Sequence, residues 1–184
     1  MTKQNYIELF NQLHPNFFEN QGIRNMPEEN VYDEMILPLK EFDIHMYDKK
    51  LEENISFGFY DGDYDELREA VKKVDEPWVQ YFTEKQRIYC GYIDGKVASF
   101  CIIDDMGQHT IDGCVIKVGG PGCVGTIPEY RDRGIGLTMV KHATKILKEE
   151  GYDYSYIHYT AVAPWYAKLG YKTTIQWNKN GMVG

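Results

Sequence analysis

Apolar residues follow clear strand and helix periods only from residue 55 onward. Before that point, a helical spacing of apolar residues over 7–13 is interrupted by Pro15. The apolar stretch 31–39 fits a short strand or a helical turn, and its pattern does not choose between them. We therefore predict that residues 1–54 form an N-terminal extension, packed on a main domain that spans 55–184.

The main domain shows alternating strand and helix signals. Asp63, followed three residues later by Glu66, is typical of a capping box at the start of a helix. Strand-forming residues on both sides of Asp94-Gly95 predict a tight hairpin. The order β-α-α-β-β-β-α-β-α-β indicates a mixed α/β domain. The six predicted strands cover 55–60, 88–93, 97–103, 114–127, 152–160 and 171–177, and the clearest helices cover 137–149 and 163–169. Glycines and a proline at 119–122 predict a bulge or a bend inside the fourth of these strands.

A turn with two glycines, at residues 131–136, joins an apolar run to the clearest helix. Gly134 and Gly136 have no Cβ, so a bulky phosphate can approach the backbone closely. Free N–H groups at a helix start lie at the positive end of the helix dipole, and Arg131 and Arg133 can add charge-assisted hydrogen bonds. The turn is therefore predicted to bind a phosphate-bearing ligand, although these six residues alone fit a solvated surface turn equally well.

Composition and charge exclude several classes of protein. A chain of 184 residues that is 43% hydrophobic suits one domain with a full core. The net charge of −8 argues against nucleic-acid binding, which normally requires a basic stripe. The four cysteines and five histidines lack metal-site spacing, which predicts no metal and free thiols in a reducing compartment. Without a signal-peptide or membrane-span pattern, we expect a cytoplasmic protein with no membrane partner.

Two segments resemble the acetyl-coenzyme A motifs of the GNAT N-acetyltransferase superfamily. Arg131, Gly134 and Gly136 fill the family signature of Arg or Gln, two residues, Gly, one residue, then Gly or Ala. Residues 165–171 resemble the second motif at the expected distance. The resemblance covers about residues 55–178. It implies the GNAT-type acyl-CoA N-acyltransferase fold, a mixed α+β sheet in which two central parallel strands splay apart.

The resemblance also implies acetyl-coenzyme A as the cosubstrate. The strand end 124–126 would pair with its pantetheine arm, strand 154–160 would form the other side of the wedge, and N–H groups from 131 to 137 would hold the pyrophosphate. Thr160 or Tyr159 stands where the family often has an Asn, which leaves that contact with pantetheine in doubt. The implied binding residues are Val124, Gly125, Thr126, Arg131, Asp132, Arg133, Gly134, Ile135, Gly136, Leu137, Thr138 and Thr160.

Candidate catalytic residues follow from the same resemblance. Tyr166 matches the family's usual general acid, which protonates the departing coenzyme A thiolate; a packing role is the alternative. Many family members carry a Glu base on the fourth strand, but no carboxylate lies between 114 and 127 here. His158, on the predicted fifth strand, is the candidate base, directly or through water, although a lone strand histidine is more often structural. Glu129 and Asp105 are weaker candidates for the base. An amine with a modest pKa, or a relay of protons through water, would need no dedicated base.

The predicted function is direct transfer of an acetyl group from acetyl-coenzyme A to a primary amine. The alternative is a non-catalytic module of the same fold that binds acetyl-coenzyme A as a sensor or partner domain. A dinucleotide-binding fold is excluded because its third glycine would fall at Met139, and a P-loop is excluded because no Gly-Lys-Ser/Thr occurs.

The acceptor is a small-molecule or peptide amine. Aromatic and acidic residues around the first two helices suit a small cationic amine such as a polyamine, an amino sugar or an amino acid derivative, but a core-facing cluster under a solvated acidic face fits equally well. Residues 1–54 either cover the acceptor mouth or mediate contacts of a homodimer. The residues in question are Tyr60, Tyr64, Trp78, Tyr81 and Phe82, with Asp61, Asp63, Asp65, Asp75 and Glu76.

Overall fold

An eight-stranded mixed sheet runs through the protein in a computed structural model that describes residues 1–183. Its strand order is β2-β3-β4-β5-β6-β1-β7-β8, which confirms the predicted mixed α/β fold. The strands are β1 (Tyr32–Pro38), β2 (Ile55–Phe59), β3 (Ile88–Ile93), β4 (Lys96–Ile111), β5 (Cys114–Thr126), β6 (Tyr154–Thr160), β7 (Lys172–Asn178) and β8 (Gly181–Val183). The α-helices are α1 (Lys3–Leu13), α2 (Gln21–Arg24), α3 (Tyr64–Lys72), α4 (Ile135–Glu149) and α5 (Ala163–Ala167).

Helices cover both faces of the sheet, because neighbouring residues on each strand point to opposite sides. On β4, Cys101 and Ile103 belong to the core under α4, where Val140 and Leu147 are fully buried. The alternate positions of β4 face α3 in a second core. This alternation explains why the central strands read as continuous apolar runs rather than as a polar and apolar alternation.

Helix α3 begins with half of the predicted capping box. The Asp63 side chain accepts a hydrogen bond from the backbone N–H of Asp65, as an N-cap should. The apolar face of α3 then buries Leu67 and Val71 completely.

The N-terminal part of the chain contributes a strand to the interior of the sheet. The stretch that sequence reasoning left undecided is β1, which pairs antiparallel with β6 on one side and β7 on the other. Helix α1 packs over the same region, where Leu9 and Phe10 are fully buried. The division of the chain at residue 54 stays a prediction, but β1 joins both sides of that division in one sheet.

Strands β5 and β6 splay apart, as the family resemblance implies. They pair in parallel at only two positions, Val118 with Tyr154 and Gly119 with Ser155. A Cβ on Gly120 would collide with the backbone carbonyl of Tyr156, so this close approach requires glycine at the point where the strands separate.

The β segment at 114–118 and the apolar run at 123–127 form one strand, β5. Phe100 pairs with Gly125 and Ile102 pairs with Gly122, so a bulge lies at residues 123 and 124 of β5. Cys123 lies in this bulge with a left-handed φ of 47°. The glycines and the proline at 119–122 therefore do not end the strand, and the bulge follows directly after them.

The structure describes the state of the cysteines and the lengths of the helices. All four cysteines are free thiols; Cys90 and Cys101 are buried, Cys123 is half-buried and Cys114 is exposed. Within residues 1–183, no helix combines the length and the apolar character needed to cross a membrane.

Candidate active site

A groove of about 460 Å³ opens where β5 leaves β6, at the N-terminus of α4. Its walls are the end of β5, the glycine turn, the first turn of α4, the loop at residues 47–49 and helix α5. Nine of the predicted cofactor residues line this groove: Val124, Gly125, Thr126, Arg131, Asp132, Gly134, Ile135, Gly136 and Leu137.

The conformation of the glycine turn leaves the helix start open to a ligand. Asp132 and Gly134 have left-handed φ values of 63° and 83°, and Gly134 is the N-cap of α4. No side chain within residues 1–183 caps this helix start. A Cβ on Gly136 would lie 2.5 Å from Oγ1 of Thr126, so only glycine keeps the floor of the groove clear. A phosphate could approach an open helix start of this shape, and its binding at this turn stays a prediction.

Three predicted cofactor residues do not line the groove. The guanidinium of Arg133 makes a two-pronged contact with Glu52, at 2.9 Å from Nε and 2.6 Å from the terminal nitrogen. Thr138 donates its hydroxyl to the carbonyl of Gly134, 2.8 Å away. Thr160 is buried and lines the neighbouring cavity, and its hydroxyl oxygen accepts from the N–H of Val162. Their roles as cofactor ligands stay predictions.

Two groove residues from the N-terminal segment were missed by sequence reasoning. Tyr47 and Lys49 line the groove, and Nζ of Lys49 donates a hydrogen bond to the carbonyl of Asp132 at 3.0 Å. The loop that carries them has no strand or helix period that would place it. The one feature in the sequence that could point to a ligand site there is a lysine, and many surface loops carry a lysine.

A second and larger cavity, about 1,050 Å³, lies beside the groove. The two share Val124, Val162 and Tyr166 in their walls. Of the residues predicted for the acceptor mouth, Asp75, Trp78 and Tyr81 line this cavity.

Other residues predicted for the acceptor mouth, and the two weaker candidates for the base, lie in several places. Tyr60 and Asp61 line a different surface pocket, and Phe82 is fully buried in the core under α3. Asp105 lines the second cavity, whereas Glu129 is exposed and lines neither.

Tyr166 stands at the junction of the groove and the second cavity. Its side chain is 6% exposed, and its hydroxyl has no hydrogen-bond partner among the described residues. Burial raises the pKa of the Tyr166 phenol above its ordinary value, and nearby Tyr171 adds to the increase. The phenol therefore remains protonated at neutral pH and can donate a proton to a group that becomes anionic beside it.

His158 lines the second cavity, and a buried carboxyl group contacts the Nδ1 atom of its ring. Its Nδ1 lies 3.0 Å from both oxygens of Glu34, whose side chain is fully buried. The ring also stacks on His14, with 3.8 Å between centroids. His14, Glu34 and His158 thus bring together two parts of the chain that are far apart in sequence; Glu34 and His14 were not identified from the sequence.

Two aspartates also contribute to the lining of the second cavity. Asp104 and Asp75 line it, and burial raises the pKa of the Asp104 carboxyl. The thiol of Cys123 lies close to both: burial raises the pKa of Cys123 to about 12, with further increases from Asp104 and Asp75. The carboxyl oxygens of Asp75 and Asp104 can accept hydrogen bonds from a group bound in this cavity.

Comparison with known proteins supports the family resemblance. Residues 53–174 match the family described as "Acetyltransferase (GNAT) domain". No curated protein matches the chain in sequence.

Similar solved structures include a GCN5-related glucosamine N-acetyltransferase region of a fungal multi-domain GH3 β-N-acetylglucosaminidase. It is 25% identical, with a TM-score of 0.68, over 82% of this chain and 20% of that one. A GCN5-related N-acetyltransferase from Sphaerobacter thermophilus is 13% identical, with a TM-score of 0.59, over 94% of this chain and 54% of that one. One from Kribbella flavida is 15% identical, with a TM-score of 0.55, over 80% and 56%.

The protein therefore spans between a fifth and just over half of the length of these structures. The family match covers well over half of the chain, and it includes β5, the glycine turn, α4 and Tyr166. The chain thus belongs to the GNAT family of acetyltransferase enzymes.

Proposed function

We propose that the protein transfers an acetyl group from acetyl-coenzyme A to a primary amine, with the acyl donor in the groove and the amine in the second cavity. The observation that carries this proposal is the position of Tyr166. It lies in the wall that the two spaces share, where a departing thiolate and an incoming amine would meet.

The groove suits acetyl-coenzyme A in shape and in charge. Its glycine turn offers backbone N–H groups at an open helix start, and Lys49 and Arg131 line it as cations. The splayed end of β5 leaves backbone groups of Val124 and Thr126 beside the groove without a β6 partner. Such strand-edge groups can pair with the two amides of a pantetheine arm.

Direct transfer requires one residue to accept a proton and one to donate a proton. Bound acetyl-coenzyme A supplies the activated acetyl group. His158 accepts a proton from the substrate ammonium, the N–C bond forms as the C–S bond breaks, and Tyr166 protonates the leaving thiolate. The new amide nitrogen passes its second proton through water to the Tyr166 phenolate, and His158 releases the proton it accepted to bulk solvent, so that both residues return to their starting states.

An amino sugar is the first acceptor to test. The similar fungal region is described as a glucosamine N-acetyltransferase. The second cavity offers Trp78 and Tyr81 as flat aromatic walls and Asp75 and Asp104 as carboxylates. A polar, cationic hexosamine can use both kinds of surface. The free thiols favour a reducing compartment such as the cytoplasm, and a homodimer stays a prediction.

The experiment has two stages. Thermal unfolding with acetyl-coenzyme A, NAD or ATP tests the groove, and saturation at a hundredfold excess over Kd should stabilise the fold by about 2.7 kcal/mol. Thiol release is then measured with glucosamine, spermidine, amino acids and lysine peptides. A selective shift followed by turnover supports the enzyme. A selective shift without turnover on any amine supports a binding module, and no shift refutes the assigned groove.

A further inference from the structure

We propose that Glu34 is a positioning residue, which holds His158 in the tautomer and orientation that turn its Nε2 into a proton acceptor for the second cavity. The inference rests on the proposed acetyl transfer. It gives the N-terminal segment a part in catalysis, because Glu34 lies on β1 and outside the residues that match the family.

The Glu34 carboxylate is buried and saturated with hydrogen bonds. Oε1 accepts from the indole N–H of Trp177 at 2.7 Å and from the backbone N–H of Tyr159 at 3.2 Å. Oε2 accepts from the hydroxyl of Tyr156 at 2.6 Å, and Nδ1 of His158 lies 3.0 Å from each oxygen. An indole and a backbone amide can only donate, so Oε1 has to be an acceptor.

The backbone is shaped to bring Glu34 and His158 together. Asp33 pairs with Thr160 and Met35 pairs with Ile157, so two residues of β6 face Glu34 across a bulge. Tyr159 within that bulge has a left-handed φ of 58°, a conformation that is unfavourable for a tyrosine. Bulges re-aim side chains. Here the bulge presents both the His158 ring and the Tyr159 N–H to one carboxylate.

This arrangement decides which nitrogen of His158 is free. A carboxylate at Nδ1 favours the tautomer with its proton on Nδ1, which leaves a lone pair on Nε2. Nε2 has no hydrogen-bond partner within residues 1–183. The side chain is 28% exposed and lines the second cavity. The free lone pair is therefore accessible to an ammonium bound there.

Two titratable side chains, those of His14 and Glu34, contact the His158 ring. The ring contacts His14 directly after α1, Glu34 from β1, and the aromatic ring of Tyr159 from its own strand. Burial lowers the pKa of His14 to about 4, and the neighbouring His158 lowers it further. His14 therefore stays neutral near pH 7, which leaves the Glu34 carboxyl as the acidic group in contact with the His158 ring.

A metal centre is the competing interpretation of the same three residues. Single ligand atoms of His14, Glu34 and His158 lie within 4.8 Å of one another. However, both oxygens of Glu34 already accept hydrogen bonds. The two imidazole rings are stacked with 17° between their planes, so their lone pairs run nearly parallel instead of converging on one point. The hydrogen-bonded pair fits this geometry better, and metal content becomes part of the test.

The kinetic test compares Glu34→Gln with Tyr156→Phe, which removes another hydrogen bond from the same carboxylate but leaves its charge beside His158. Glu34→Gln should lower kcat about 100-fold and leave the KM for acetyl-coenzyme A unchanged. Tyr156→Phe should lower kcat much less, because the carboxyl group stays beside Nδ1 of His158. Equal losses of kcat in both variants would overturn the proposal.

A second readout does not depend on activity. In ¹⁵N-histidine NMR spectra of the full-length protein, neutral His158 should carry its proton on Nδ1, and in Glu34→Gln the proton should move toward Nε2. A wild-type His158 protonated on Nε2 overturns the proposal even if the variant does not fold. So does stoichiometric zinc whose removal abolishes activity. If the wild type shows the Nδ1 tautomer but acetylates no amine, the proposed function fails while the Glu34–His158 geometry stands.

Discussion

Nζ of Lys49 lies 3.0 Å from the backbone carbonyl of Asp132, so a loop from the N-terminal segment closes over the glycine turn at the start of α4. The lysine carries its charge to the rim of the groove, beside the helix N-terminus. A phosphate bound at this turn would face a cation from outside the motif as well as the N–H groups within it.

Replacing this lysine should weaken binding of the acyl donor. Lys49→Met should raise the Kd for acetyl-coenzyme A about threefold to tenfold, since one exposed charge-assisted contact is lost. The loss should shrink at high salt. Lys50→Met, a neighbouring exposed lysine that does not line the groove, is the matched control. Isothermal titration at two salt concentrations measures both, and equal effects of the two variants would contradict the assignment.

Gly134→Ala should impair both folding and binding. At a φ of 83° an alanine costs about 1–2 kcal/mol of unfolding free energy. Its Cβ would also lie 2.6 Å from Cδ of Lys49, which would displace that side chain. Gly95→Ala provides the control, because Gly95 has a similar φ of 76° with nothing within 4 Å of an added Cβ.

Both glycine variants should therefore lose similar stability in urea, whereas only Gly134→Ala should raise the Kd for acetyl-coenzyme A. Unchanged affinity in Gly134→Ala would show that the turn does not contact the ligand.

Sequence reasoning was most successful where the relevant contacts are local. The glycine turn, the start of α4 and Tyr166 lie within about forty residues of chain, and the resemblance of these residues to the family motifs predicted that they share one site. Arg133 and Thr138 belong to the same stretch, but their side chains are engaged by Glu52 and the Gly134 carbonyl. Sequence spacing carries no information on such competing partners.

The Glu34–His158 pair could not be predicted, for a physical reason. The two residues are 124 positions apart and meet only because β1 inserts between β6 and β7. The stretch that forms β1 is short and apolar, and such a stretch fits a strand or a helical turn equally well. A buried Glu in an apolar strand is itself unusual. This glutamate in an apolar stretch was the one feature of the sequence that indicated a buried hydrogen-bond partner for Glu34.

Acid should destabilise the protein through His14. Its pKa falls from an ordinary 6.5 to about 4 in the folded state, so the unfolded chain binds the proton more readily. The contribution of neutral His14 to the free energy of unfolding is complete above pH 6.5 and is lost as the pH falls toward 4. Because the ring is only partly buried, we expect a loss of about 2 kcal/mol rather than the full linkage value.

His14→Phe should flatten the dependence of unfolding free energy on pH between 7 and 4, because the phenyl ring keeps the stack but cannot be protonated. His45→Gln, at an exposed position, should retain the wild-type dependence. Urea unfolding at several pH values decides the point, and parallel curves for the wild type and His14→Phe would contradict it.

Alkylation should distinguish the four cysteines. Burial raises the pKa of Cys90 and of Cys123 to about 12, and that of Cys101 rises as well, so these thiols stay protonated near pH 7.5. Cys114 is exposed. Iodoacetamide should therefore modify Cys114 first, and Cys114→Ser should remove the fast phase seen by peptide mass spectrometry. Rapid labelling of Cys123 would show that the second cavity is more polar than the structure indicates.

The central claim is that Tyr166 donates a proton between an acyl donor and an amine. The most direct measurement is thiol release by Tyr166→Phe with the best amine acceptor, with the acetylated product identified by mass spectrometry. Tyr171→Phe is the control: this neighbouring tyrosine bonds Ser155 and Thr144 and lines neither cavity. The account predicts that Tyr166→Phe lowers kcat about 100-fold at unchanged acetyl-coenzyme A affinity, and that Tyr171→Phe loses stability but keeps turnover. Full thiol release by Tyr166→Phe would contradict the account.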